Sequence, residues 1–164
     1  MPKITLKQVE FYYTDTEKGE ETIIFSHGLL WSGYMFHKQV ASLKERYRVI
    51  TYDHRGQGQT QHPENGYDID TLSEDAVALI EALCPNQQVH FAGLSMGGFV
   101  AMRIAARRPD LLKSVILMET SAESLWNCLP PMDLEVLLLP CSEESVEVST
   151  PTLPNRAIVE PPSP

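Results

Sequence analysis

Apolar runs and helix-like patterns alternate along residues 4–118. Short apolar runs at residues 22–25, 48–52, 88–92 and 114–118 are typical of buried strands. Between them, apolar side chains recur at every third or fourth position, as on one face of a helix. This alternation predicts a parallel sheet with helices on both faces. The fold class is therefore α/β, in three α/β/α layers with a mostly parallel sheet.

Helices are expected between these strands. Apolar spacing predicts one helix over residues 36–43 and another over residues 96–108. Thr71 followed three residues later by Glu74 is a capping-box pattern, which predicts that a third helix starts there. Residues 4–13 are expected to form one or two strands of a hairpin at the edge of the sheet.

The end of the chain has a different composition. Eight of the twelve prolines lie within residues 123–164, no glycine follows Gly98 and no aromatic residue follows Trp126. Acidic segments rich in Ser, Thr and Pro bury too little apolar surface to offset the entropy of ordering. We therefore predict a core domain over residues 1–122 and a mostly disordered, proline-rich acidic tail, with a short helix allowed at residues 132–139.

Composition narrows the classes of partner and location. The net charge of −9 argues against nucleic acid and against anionic membrane surfaces. The start of the chain lacks the apolar run of a signal peptide, so a cytoplasmic location is expected. Three cysteines without C-x-x-C spacing are expected to be free thiols, and the sequence indicates no metal site and no cofactor.

One serine stands out as a candidate nucleophile. Ser95 lies between Gly93 and Gly97, directly after the apolar run at residues 88–92. Glycines at these positions permit crowding of the backbone that a Cβ would block. The pattern is typical of a serine exposed on a sharp turn from a strand into a helix.

Two further motifs follow predicted strands. His27-Gly28 comes after the predicted strand at residues 22–25, the third of the chain. A stretch with Asp53, Arg55 and Thr60 comes after the fourth, at residues 48–52. The glycines of this second stretch lack the third glycine of a dinucleotide-binding fingerprint, so a nucleotide site is unsupported. Ligands of open parallel sheets bind at the carboxyl ends of the strands, where these loops converge.

Together the three motifs resemble the α/β-hydrolase superfamily, and within it the serine esterases and lactonases. The G-x-S-x-G, H-G and D-x-R-G-x-G-x-[ST] patterns occur in the order and spacing of that family, over about residues 5–122. The resemblance implies an α/β-hydrolase fold truncated after about the sixth strand. It also implies a small-molecule ester or lactone as substrate.

The resemblance assigns roles at the site. Ser95 would attack an acyl carbonyl, and the backbone N–H groups of Leu29 and Met96 would hold the oxyanion. Gly28 would let the chain bend so that the Leu29 N–H points into the site. His27 would brace that loop rather than transfer protons.

Other residues would support the site. Gly93 and Gly97 would shape the turn, while Asp53 and Arg55 would form a buried pair that fixes its own loop. Trp31 is a candidate for lining an apolar acyl pocket. The alternative for Trp31, and for the aromatic residues that follow it, is a place in the ordinary core.

The base of the catalytic triad has no counterpart after the serine. In this family the order is Ser, then Asp or Glu, then His. Glu119 is a candidate acid, but no histidine follows Ser95, and all five histidines precede it, at positions 27, 37, 54, 62 and 90. The alternatives to a hydrolase are therefore a catalytically inactive binding module and a truncated or frameshifted fragment. In a truncated fold, the sixth strand would be an exposed edge through which copies could self-associate.

Overall fold

The computed structural model describes residues 2–120 and, for the backbone, residues 135–139. Within these residues the strands are β1 (Lys3–Leu6), β2 (Val9–Asp15), β3 (Thr22–Ser26), β4 (Arg48–Tyr52), β5 (Val89–Leu94), β6 (Leu112–Met118) and β7 (Glu135–Leu139). The α-helices are α1 (His37–Leu43), α2 (Ile69–Leu83) and α3 (Met96–Arg107). Short 3₁₀ helices at Gly33–Phe36 and Pro109–Leu111 precede α1 and β6.

The strands form one sheet in the order β1-β2-β4-β3-β5-β6-β7. β1 pairs antiparallel with β2, and β2 pairs antiparallel with β4. All remaining neighbours run parallel. The predicted α/β class with a mostly parallel sheet is confirmed.

Helices cover both faces of the sheet because successive strand residues point to opposite sides. On one face, the strand residues Ile24, Phe91 and Val115 pack in a cluster with residues of α2 and α3. On the other, Ile23 and Phe25 pack with the 3₁₀ helix and with Val40 and Leu43 of α1. None of the helices in the described part of the chain is long and apolar enough to cross a membrane.

The end of the sheet differs from the prediction. Residues 135–139, expected within a short helix, form β7, which pairs in parallel with β6 from Ser114↔Glu135 to Met118↔Leu139. The run of four apolar residues there suits a strand beside a buried neighbour as well as it suits a helical face, and pairing with β6 decides between them. The sixth strand is therefore not an exposed edge. The other residues of the predicted tail, 121–134 and 140–164, lie outside the described residues.

The start of α2 also differs from the prediction. The helix begins at Ile69, and its N-cap is Asp68, whose side chain accepts a hydrogen bond from the Thr71 N–H. Aspartate caps helices as well as threonine does, so the Thr71/Glu74 pattern did not identify the first turn.

Candidate active site

Four parallel strands end at one edge of the sheet, and the three predicted loops meet there. The register aligns Ser26 at the end of β3 with Tyr52 of β4 and with Gly93 of β5. Leu94 of β5 aligns with Met118 of β6. The H-G turn, the Asp53 loop, Ser95 and Glu119 follow these strand ends directly.

The turn after β5 is too crowded for side chains at two glycines. A Cβ on Gly93 would lie within 3.0 Å of the Gly97 carbonyl, and a Cβ on Gly97 would lie within 3.0 Å of the Ser26 backbone. Real Cβ atoms essentially never approach this closely. The glycines of the G-x-S-x-G motif therefore let the start of α3 pack directly against the end of β3.

Ser95 occupies the apex of this turn in a strained conformation. Its φ is 49°, in the left-handed region, which costs a residue with a side chain about 1–2 kcal/mol. The Ser95 N–H donates to the Met118 carbonyl at 2.9 Å, which ties the turn to the end of β6. The residue is exposed, so its hydroxyl is accessible from solvent.

Two backbone N–H groups near the serine have no acceptor among the residues that the structure describes. Within the described residues, neither the Leu29 N–H nor the Met96 N–H donates a hydrogen bond. Met96 is the first residue of α3, where the helix dipole favours negative charge. The family resemblance assigned these same two donors to an oxyanion hole.

Gly28 lies beside Ser95 without a left-handed backbone conformation. Its φ does not lie in the left-handed region, so the chain could make this bend with another residue. A Cβ on Gly28 would meet the side chains of Leu94 and Ser95 at an ordinary 3.7 Å. The glycine therefore leaves room beside the serine and is not required by the backbone conformation.

His27 is buried and both of its ring nitrogens are used. Nδ1 donates to the Gly28 carbonyl at 2.7 Å, and Nε2 accepts the His54 N–H at 3.0 Å. These bonds link the H-G turn to the Asp53 loop. Neither nitrogen is available to take a proton from Ser95, in keeping with a bracing role.

A second buried histidine extends this network beneath the turn. His54 Nε2 lies 3.0 Å from Ser26 Oγ, which lies 3.0 Å from the Tyr52 hydroxyl. Burial lowers the pKa of His27, and burial together with the neighbouring His27 lowers the pKa of His54 well below its ordinary value. Burial likewise raises the pKa of Tyr52. The network is therefore uncharged at neutral pH.

Asp53 and Arg55 are both buried, but they do not pair with each other as expected. The Asp53 carboxylate accepts the Gly33 N–H at 2.7 Å and the Gln59 N–H at 2.8 Å. The Arg55 guanidinium donates to both carboxylate oxygens of Asp75 on α2, at 2.6 and 2.8 Å. The spacing in the motif could not reveal Gly33 and Asp75 as partners because each lies 20 residues away from its partner in the chain.

The candidate acid, Glu119, comes directly after β6 at this edge of the sheet. Glu119 follows β6 at a left-handed φ of 49°, one residue after the carbonyl that accepts the Ser95 N–H. Within the described residues no histidine is hydrogen bonded to Ser95 Oγ. His90 lies five residues earlier on β5, which is about 17 Å at 3.3 Å per residue. Its ring instead contacts Ser114 and Glu21.

Apolar side chains surround this edge of the sheet. Trp31 is 61% exposed and Tyr34 is 77% exposed, so neither belongs to the core. Phe36, in contrast, is buried against Phe25, with ring centroids 4.7 Å apart. The first two are available to a ligand, whereas the third is an ordinary core residue.

Sequence patterns missed two contributors to the site. Ser26 lies under Gly97, and Gln57 accepts the Leu30 N–H at 2.7 Å. Ser26 is the last residue of an apolar strand, and Gln57 occupies a variable position of its motif. Nothing in their local sequence distinguishes them from surface residues.

This chain is similar to one protein-family profile, to several curated proteins and to several solved structures. The profile described as the alpha/beta hydrolase fold matches residues 21–141, beyond residue 122, where the resemblance was expected to end. 3-Oxoadipate enol-lactonase 2 of Acinetobacter baylyi is 35% identical over 112 residues, which are 68% of this chain and 42% of that protein. The non-heme chloroperoxidase of Burkholderia pyrrocinia is 37% identical over 64% of this chain and 39% of its own.

A solved structure has a similar fold. The enol-lactonase from Burkholderia xenovorans LB400 has a TM-score of 0.68 and 33% identity, covering 74% of this chain and 47% of that one. The chain thus spans less than half the length of each of these three proteins.

Proposed function

The chain belongs to the α/β-hydrolase fold family, and on that premise we propose that it is a serine hydrolase of small carboxylic esters or lactones. The observation that carries the proposal is the strained, exposed Ser95 near the N–H groups of Leu29 and Met96, which have no acceptor within the described part of the chain. A strained nucleophile beside preorganised donors is the arrangement that acyl transfer requires.

In the proposed reaction, Ser95 Oγ attacks the carbonyl carbon and its proton passes to a general base. The carbonyl oxygen becomes an oxyanion, to which the Leu29 and Met96 N–H groups donate. The intermediate expels the alcohol, or opens the lactone ring, and leaves an acyl group on Ser95. Water then releases the acid, and no cofactor is needed.

We propose that the described residues do not provide the general base of the triad. His27 and His54 are buried and hydrogen bonded elsewhere, and His90 lies toward the other end of β5. Removing the triad histidine of a serine protease lowers turnover by about 10⁶, whereas the oxyanion hole and binding alone retain about 10³–10⁴ over water. We therefore propose that full activity needs a base from outside residues 2–120.

The substrate would lie on the exposed aromatic residues beside the nucleophile. Trp31 offers an apolar surface at the same edge as Ser95, as expected for a neutral acyl group. An enol-lactonase and a chloroperoxidase both match this region, so it does not distinguish one acyl substrate from another. Specificity is therefore proposed to depend on residues beyond it.

The lack of a base within the described residues favours one alternative. A binding module would use the same edge to hold a small apolar ligand without acyl transfer. Such a module would bind an ester without forming an adduct on Ser95.

A fluorophosphonate probe distinguishes the two. Because no histidine follows Ser95 in the 164-residue chain, we expect only slow modification at Ser95, which is lost in Ser95→Ala and retained in the matched control Ser32→Ala. Ser32 precedes the 3₁₀ helix near the site, and its side chain does not cap that helix. Modification that persists in Ser95→Ala contradicts the proposed nucleophile. Ester-dependent thermal stabilisation without any modification favours the binding module.

A further inference from the structure

The turn that carries one oxyanion donor is poorly supported by packing. Leu29 and Leu30 are 60% and 85% exposed. Leu30 has a φ of 61°, which a leucine adopts only at a cost in free energy. A strained and exposed turn needs a specific interaction to keep its N–H groups in one orientation.

Gln57 supplies that interaction from the neighbouring loop. Its Oε1 accepts the Leu30 N–H at 2.7 Å, and its Nε2 lies 4.0 Å from Met96 Sδ. Leu30 follows Leu29, the first donor residue, and Met96 is the second. One side chain thus contacts both halves of the proposed oxyanion site.

The backbone of Gln57 is itself held firmly. Its N–H donates to the His54 carbonyl at 3.0 Å, and its carbonyl accepts the Thr60 N–H at 3.1 Å. The same loop is fixed through the Asp53 carboxylate and the buried Arg55–Asp75 pair. Gln57 is therefore a rigid support for the strained Leu29–Leu30 part of the turn.

We propose that Gln57 is a positioning residue that orients the Leu29 N–H group toward the oxyanion. This inference rests on the proposed function. The Leu30 N–H is part of the Leu29–Leu30 peptide group. Holding this peptide group in place restricts a backbone torsion of Leu29, the residue whose own N–H is the donor. Donors held in place before reaction stabilise developing charge without reorganisation, which is why a remote hydrogen bond affects the rate.

The test compares Gln57→Leu with Gln59→Leu in the 164-residue chain. Gln59 lies in the same loop and is exposed, and only its backbone N–H takes part in the network. The first measurement is hydrogen exchange of the Leu30 N–H, which needs no activity. The second is the rate constant of fluorophosphonate modification at Ser95, measured against probe concentration so that binding and reaction are separated.

We expect Gln57→Leu to lose protection of the Leu30 N–H and to react about tenfold more slowly at saturating probe, with probe affinity little changed. Gln59→Leu keeps the wild-type protection and rate. Gln57→Glu retains an acceptor for the Leu30 N–H and so keeps its protection, but its negative charge beside the oxyanion slows modification.

Two results would overturn the proposal. In one, the Leu30 N–H stays protected in Gln57→Leu; in the other, Gln57→Leu reacts at the wild-type rate. A wild-type chain that is never modified counts against the proposed function instead. In that case hydrogen exchange alone tests the hydrogen bond between Gln57 and the Leu30 N–H. Loss of protection in Gln57→Leu supports this bond, and retention excludes it.

Discussion

The two ends of the parallel sheet each hold a serine, in opposite circumstances. At the amino end, Ser114 Oγ lies 2.7 Å from His90 Nδ1, and His90 Nε2 lies 3.4 Å from Glu21 Oε2. At the carboxyl end, Ser95 has no histidine partner within the described residues, but it stands at a strained turn beside two unpaired N–H groups.

The difference shows that a serine, a histidine and a carboxylate in hydrogen-bond contact do not by themselves make a catalytic site. Ser114 lies within β6, paired with His90 on one side and Glu135 on the other, so its backbone is part of the sheet ladder, next to a register shift between Val89 and His90. Regular sheet uses its N–H groups in the ladder and leaves none for an oxyanion. Irregular backbone at the strand ends is what makes such donors available.

The largest effect is expected from filling the crowded turn. Gly97→Ala places a Cβ against the Ser26 backbone, which cannot yield without displacing β3 or α3. We expect a loss of about 3 kcal/mol in the free energy of unfolding, measured by urea denaturation.

Gly28→Ala is the matched control for this change. Its Cβ meets only ordinary contacts at 3.7 Å, so stability should change by less than about 1 kcal/mol. Equal losses in the two variants would show that the crowding at the serine turn is not the reason for its glycine.

Acid should destabilise the carboxyl end through its buried histidines. The pKa values of His27 and His54 lie below their ordinary 6.5 in the folded chain, so the unfolded chain binds more protons as the pH falls. The resulting stability is complete above pH 6.5 and is lost on acidification toward the folded pKa values. We expect His54→Gln to reduce this slope by up to about 1.4 kcal/mol per pH unit below pH 6.5.

The slope is the quantity to compare, since His54→Gln can also lower stability at every pH through the lost contact with Ser26. His62→Gln is the control because His62 is exposed on the loop that follows. A wild-type slope in His54→Gln would show that His54 is not held neutral in the folded chain.

The smallest effect is expected at the amino end. Ser114→Ala removes the hydroxyl bonded to His90, which should cost about 1 kcal/mol in urea denaturation. Fluorophosphonate modification should proceed at the wild-type rate. A slower reaction in this variant would mean that Ser114 influences Ser95 through the sheet. The two ends of the sheet would then not be independent.

Most of the fold could be predicted from the hydrophobic pattern. β4 lies at the predicted residues, and α3 ends one residue earlier than expected, because apolar periodicity and Pro109 mark these elements locally. The start of α2 and the identity of β7 could not be predicted in this way. The first depends on which of several capping residues is used, and the second on a partner strand.

The site could be predicted as far as its motifs extend. Ser95, its flanking glycines and the two strand-end loops lie together, since parallel strands bring their carboxyl ends to one edge. The contacts that hold the loops could not be predicted. Asp53 accepts the backbone N–H of Gly33 across 20 residues, and Gln57 accepts the Leu30 N–H across 27 residues.

By itself, the sequence determined the α/β class, the family resemblance and the serine turn, because local periodicity and glycine spacing encode these directly. Only the tertiary structure decided that Arg55 pairs with Asp75, that His27 and His54 are buried and neutral, and that β7 covers β6. Each of these depends on which distant segment lies alongside, and burial and partner choice are properties of packing.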